Sequence, residues 1–174
     1  MAHYPKLKIA SPGRIIAATR AAAVAAMVAA TLIAAPGQAT TASGFVGTQL
    51  LKGQFGDIDL KSKSAIFDLK LDTKGDSDLY VVRNAIAVGG TSGWHTHPGP
   101  SLITVTAGEI VAYDAALCTP THYATGATFV DPGGGHVHLL RNESGAVAET
   151  IAVQFVPRDA GRRIDAPQPN NCNF

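Results

Sequence analysis

The sequence predicts an all-β fold, a small sandwich or barrel. Three observations carry that prediction. Short runs of alternating apolar and polar residues recur along the chain, the period of a half-buried strand. Gly and Pro punctuate these runs at close intervals. Beyond residue 39, no segment keeps a 3.6-residue apolar period over eleven residues or so.

Residues 1–39 are set aside from the fold. Lys6, Lys8, Arg14 and Arg20 form a basic start with no acidic residue, and Ala21 to Ala35 is a 15-residue apolar run. Gly37-Gln38-Ala39 offers small residues for cleavage after Ala39. This is the pattern of a secretory signal peptide. As a helix the run would reach about 22 Å, short of the ~30 Å hydrocarbon core. The arginines are not adjacent and no cysteine lies near the cut, so neither a twin-arginine leader nor a lipid anchor is indicated. The expectation is export to the cell envelope or beyond, with no membrane attachment after cleavage. A barrel over 40–157 and an irregular, proline-rich tail over 158–174 would follow.

In order, Thr40 to Gly47 reads as a flexible start, and Leu50 to Leu60 as one or two short strands. Ala65 to Leu71 alternates, with Phe67, Leu69 and Leu71 on one face, and predicts a half-buried strand. Asp72 to Asp76 is a turn. Leu79 to Val88 is a longer strand. Ser101 to Thr106 and Ile110 to Tyr113 flank Ala107-Gly108-Glu109, a hairpin signal. Ala115 to Tyr123 reads as a loop. Thr128 to Val130, Val137 to Arg141 and Ala148 to Val156 are strands, and Asp131 to Gly135 is a tight turn.

The leader carries four of the 14 Lys and Arg and none of the 13 Asp and Glu, so the remainder is mildly acidic, at −3. Such a surface, without a Lys/Arg stripe, argues against nucleic acid as a partner. The two cysteines, Cys118 and Cys172, are most simply one disulfide in an exported protein. It would tie the tail to the loop between the two histidine segments. Gly133-Gly134-Gly135 is no phosphate loop, since no lysine follows and no helix begins. No paired carboxylates have the context for glycoside hydrolysis.

Chemistry concentrates between Gly89 and Asn142. Four of the six histidines form two His-x-His pairs, His95-Thr96-His97 and His136-Val137-His138. On a strand, residues i and i+2 share a face. Two such pairs beside Gly/Pro turns suggest neighbouring strands whose imidazoles converge, and imidazole is the commonest ligand for transition metals. Gly89, five residues, His95-x-His97 and then Gly108 resembles the first motif of the cupin family. Gly126, five residues, Pro132-x-Gly134, then His138, three residues, Asn142 resembles the second.

The resemblance narrows the fold to a single cupin (jelly-roll) β-barrel and implies a divalent metal on His95, His97 and His138. His136 is the alternative third ligand, because this second motif carries one extra residue before its histidine. The family's usual glutamate is Ser101 here, which leaves three imidazoles and open positions, the arrangement of a catalytic site. Fe, Mn, Zn, Ni and Cu all remain candidates. Ser101 shares the parity of His95 and His97 and should face the interior. Gln154, Tyr113, Phe129 and Phe155 are candidate pocket residues, with an ordinary core role the competing reading for the aromatics. Trp94 has the opposite parity and reads as core. Glu109, His122 and Arg162-Arg163-Ile164-Asp165 read as surface. The expected function is a secreted metal-binding cupin, an oxygenase or Lewis-acid enzyme acting on a small chelating substrate. The alternative is a non-catalytic cupin that binds a sugar or metabolite. A homodimer is a family expectation.

Overall fold

A computed structural model describes residues 38–169, 171 and 172. The expected leader lies outside the described residues, save for Gln38 and Ala39. The described residues fall within one compact unit, Pro36–Phe174, and hold no helix.

Twelve strands follow one another: β1 Ser43–Phe55, β2 Asp59–Lys63, β3 Asp68–Asp72, β4 Ser77–Thr91, β5 His95–Thr96, β6 Ser101–Ala107, β7 Glu109–Asp114, β8 Pro120–Ala124, β9 Thr128–Asp131, β10 His138–Arg141, β11 Ala148–Pro157 and β12 Ile164–Asp165. Ten of them make one nearly closed antiparallel sheet. One wall runs β1-β4-β11-β6-β9, the other β12-β5-β10-β7-β8. The walls join where Arg141 of β10 pairs with Thr91 at the end of β4. The all-β barrel expected from the sequence is the fold observed.

Alternation decides what faces in. Along β11, Ala148, Thr150, Ala152, Gln154 and Val156 are buried and the residues between them are not. On β6, Ser101, Ile103 and Val105 point inward while Leu102 and Thr104 point out. Three apolar clusters fill the interior: Ile86, Val105, Ile110, Leu140 and Ala148 in one, Trp94, Val111, Tyr113, Leu139, Ala166 and Cys172 in another, and Tyr80, Val82 and Val156 in a third. Trp94, 1% exposed, is the largest of these and alone is worth about 3–5 kcal/mol against alanine.

Several expectations need correction. The start is not flexible from 43 onward, because β1 pairs with β4 from Ser43↔Thr91 to Phe55↔Ser77. The Ala65–Leu71 strand is not half-buried. It is β3, which pairs only with β2, and Ile66, Phe67 and Leu69 are exposed. Its alternation is real, but among the described residues no second layer covers it. Gly108 does not turn a hairpin, for β6 pairs with β9 and β11 while β7 pairs with β8 and β10. It is a corner at which the chain changes walls. Its φ is +68°, and a Cβ there would lie 2.8 Å from the Val147 carbonyl oxygen, so only glycine makes the crossing. The second half of the 115–123 loop is β8.

The tail is irregular but attached. Ile164 and Asp165 pair with Thr96 and His95, and the Ala166 amide donates to the Trp94 carbonyl at 2.9 Å. The Thr40 amide donates to Ala166 in turn at 3.0 Å. The Cys118–Cys172 disulfide is formed, with Cα atoms 5.4 Å apart. A strand of two residues carries no readable period, which is why β12 left no trace in the sequence.

Candidate metal centre

Three imidazoles meet inside the barrel. His95 lies on β5 and pairs directly across the ladder with His138, the first residue of β10. His97 follows two residues after His95, just past the end of β5, and shares its face. Ring centroids stand 4.3 Å apart for His95–His138, 4.9 Å for His95–His97 and 5.4 Å for His97–His138. One nitrogen from each lies within 4.8 Å of the others. All three side chains are buried, at 4–7% exposure.

Backbone carbonyls set two tautomers. Nδ1 of His95 donates to the Gly93 carbonyl at 2.9 Å, and Nδ1 of His97 donates to the Arg162 carbonyl. A carbonyl can only accept, so each Nδ1 carries the hydrogen and each Nε2 keeps a bare lone pair. This is the outer support that metal-binding histidines ordinarily have. Burial favours the neutral rings. It pushes His95 down to about 2, with the neighbouring His138 and Arg163 adding to the shift. Burial likewise lowers His97, against the pull of the Arg162 carbonyl and Asp131, and lowers His138 to about 4. The nitrogens are therefore free to ligate at neutral pH, and the donor set fits a divalent transition metal.

His136 goes elsewhere. Its Nδ1 donates to Asp131 Oδ1 at 2.9 Å and its Nε2 to Asp114 Oδ2. Burial opposes its charge, but the hydrogen bonds to Asp131 and Asp114 outweigh that and raise its pKa. The same partner outweighs burial at Asp114 and lowers that carboxyl. Asp131, His136 and His138 do form a second possible ligand group. With both ring nitrogens of His136 engaged by carboxylates, however, no lone pair is left for an ion. β10 begins at His138 and leaves His136 outside the strand, where its two carboxylate partners set its ring.

Ser101 is fully buried. It accepts from Gln154 Nε2 at 3.1 Å, and Gln154 Oε1 accepts from Arg162 Nη1 at 3.1 Å. The three histidines and Gln154 border a cavity of about 90 Å³ walled by Val82, Ile103, Leu140 and Ala152, with Arg162 and Arg163 at its edge. The two arginines are thus not simply surface: Arg163 pairs with Asp165 at 2.6 Å, yet the tail folds over the cavity. Tyr113 and Phe129 border a different cavity, of about 170 Å³, on the His136 side of His138. Tyr113 donates to Glu143 at 2.8 Å. Phe155 alternates out of the interior. Glu109 and His122 pair with each other at the surface, 2.9 Å apart. Asn142 is a buried turn residue that donates to the Ile86 and Ala146 carbonyls at 2.9 and 2.7 Å.

Sequence reasoning missed Asp131. It lies 3% exposed on β9, with Oδ1 accepting from the Gly133 amide at 3.2 Å as well as from His136. Its carboxylate is 3.8 Å from His97 Nε2 and 3.6 Å from His138 Nδ1. An Asp before Pro-Gly-Gly-Gly has the signature of a turn. Only the β6–β9 pairing, which sets Asp131 opposite Ser101, brings it to the histidines. The Arg162 carbonyl was equally invisible, since any residue would supply one.

No family model matches the chain, and no curated protein matches it. Solved structures do. An uncharacterised protein with a double-stranded β-helix domain from Klebsiella pneumoniae subsp. pneumoniae is 20% identical, with a TM-score of 0.49 over 70% of this chain and 84% of that one. A polyketide cyclase from Streptomyces resistomycificus is 14% identical, with a TM-score of 0.49 over 79% and 80%. A cupin domain from Bordetella pertussis Tohama I is 14% identical, with a TM-score of 0.44 over 64% and 93%.

Proposed function

We propose that this chain is an exported cupin that holds one divalent transition-metal ion on His95, His97 and His138 and presents it to a small, anionic, chelating ligand. The observation that carries the reading is the convergence of three buried, neutral imidazoles, two of them with Nε2 left bare by carbonyl anchors. When bound, the ion supplies Lewis acidity or, for a redox metal, dioxygen activation.

The chain's own residues do the rest. The Gly93 and Arg162 carbonyls hold two rings in the ligating tautomer. The apolar wall of Val82, Ile103, Leu140 and Ala152 keeps bulk water out of the cavity. Arg162 and Arg163 place positive charge at its edge, which favours an anion. A cavity this small suits a metabolite and not a polymer.

Binding without turnover is the second reading, and one observation favours it. The fourth histidine of the two segments, His136, is held between two carboxylates and borders the other cavity. The test is to load the dialysed protein with each metal and follow oxygen uptake and product formation with a panel of small enolisable acids and thiols. Metal-dependent turnover supports the enzyme. Saturable binding of an acid to the loaded protein without turnover supports the binder. Failure to bind any metal removes the proposal.

A further inference from the structure

Two buried acceptors face each other. Oδ2 of Asp131 is buried and has no hydrogen-bond partner. It lies 3.8 Å from Nε2 of His97. That nitrogen bears a lone pair, because Nδ1 holds the hydrogen for the Arg162 carbonyl. At 3.8 Å the two atoms are too far apart to share a proton. Left alone, an unpaired carboxylate oxygen in a dry interior is costly. A cation between them removes that cost, and two donors at about 2.0–2.2 Å from one ion stand roughly 3–4 Å apart.

The carboxylate is held in that orientation. Its other oxygen accepts from the Gly133 amide and from His136, which leaves Oδ2 turned toward His97. The 132–135 turn is itself pressed onto the loop after His97. The Gly134 amide donates to the His97 carbonyl at 2.8 Å, and a Cβ on Gly133, whose φ is +65°, would lie 2.2 Å from the Gly99 carbonyl oxygen. Asp131 and His97 are therefore tied together through backbone.

We propose that Asp131, through Oδ2, is a fourth protein ligand of the metal, joining His95, His97 and His138. The inference rests on the metal reading above. It makes the site three imidazoles and one carboxylate, with the carboxylate supplied by β9 opposite Ser101. A divalent ion then keeps one net positive charge and has fewer positions open to the ligand.

The test is zinc(II) calorimetry and cobalt(II) visible absorption on the wild type, His95→Ala and Asp131→Asn. The amide can still accept from Gly133, and circular dichroism checks the fold. If Asp131 ligates, D131N weakens zinc by more than the roughly 100-fold that marks the upper end for an outer partner, and the cobalt spectrum changes. Affinity within about 100-fold of wild type together with an unchanged cobalt spectrum overturns the inference, while a wild type that binds and an H95A that does not leave the metal reading standing. A wild type that binds no metal sinks both. Should D131N fail to fold, the infrared difference spectrum of the wild type decides. Zinc binding shifts a carboxylate band if Asp131 ligates, and the absence of any shift overturns it.

Discussion

The two His-x-His segments look alike in sequence and part company in the fold. In the first, both rings enter one buried site, and each Nδ1 is fixed by a carbonyl. In the second, His138 joins them and His136 turns away to bridge Asp131 and Asp114. Each pair straddles a strand end, since β5 stops at Thr96 and β10 starts only at His138. The difference lies in what holds the outlying ring: the Arg162 carbonyl accepts from His97 Nδ1, whereas Asp131 and Asp114 accept from the two nitrogens of His136. Parity is a property of extended backbone, and neither pair takes it from its strand alone.

The comparison breaks or sharpens most visibly in metal binding. His95→Ala or His138→Ala should abolish high-affinity binding, a loss beyond the about 10–100-fold typical of an outer partner. His136→Ala should stay within about 100-fold of wild type. Calorimetry on dialysed protein reads both. Equal losses at 95 and 136 would erase the distinction.

Next in size is the disulfide. The tail supplies the Arg162 carbonyl that anchors His97, and Cys118–Cys172 closes a loop with a sequence separation of 54. Replacing both cysteines by serine should lower stability by about 4 kcal/mol in the chain-entropy account. Urea unfolding measures it. Zinc affinity should fall as well, through the first pair and not the second.

Acid separates His136 from the three converging histidines by sign. His95 is depressed from 6.5 to about 2 and His138 to about 4, so the unfolded chain binds the extra protons. Stability of the metal-free protein should fall as pH drops below 6.5, by about 1 kcal/mol from His95 alone between pH 6.5 and 5.5. His136 is raised, so its contribution is present below 6.5 and is lost as pH climbs through its folded value. Unfolding of wild type and His136→Ala across pH 5–8 resolves the two. Below 6.5 the two profiles should run nearly parallel, and above it the wild type should lose stability that H136A does not.

Smallest is the cost of His136→Ala near neutrality. Its side chain is 35% exposed, which discounts the two charged hydrogen bonds to about 0.5–1 kcal/mol in all.

Much of this was legible beforehand. Ser101, expected inside from the parity it shares with His95 and His97, is buried, as is Gln154, a candidate pocket residue, and Trp94, read as core, packs in the core. What the residues concealed were facts of pairing over distance. Phe67 and Leu69 alternate as a half-buried strand does, yet among the described residues β2 and β3 pair only with each other. Gly108 has hairpin chemistry but turns a corner between walls, because the strand before it and the strand after it find different partners. Asp131 has the local signature of a turn, and its burial beside His97 follows only from the β6–β9 register. The Arg162 carbonyl is backbone and has no side-chain signature at all.

The central claim is that imidazoles from two separate segments hold one ion. Metal analysis of the protein from its native source, beside the same protein carrying His95→Ala, tests it most directly. The account predicts about one transition-metal ion per chain in the first and almost none in the second. A wild type without metal under every loading condition, or a variant that keeps it, would contradict the account.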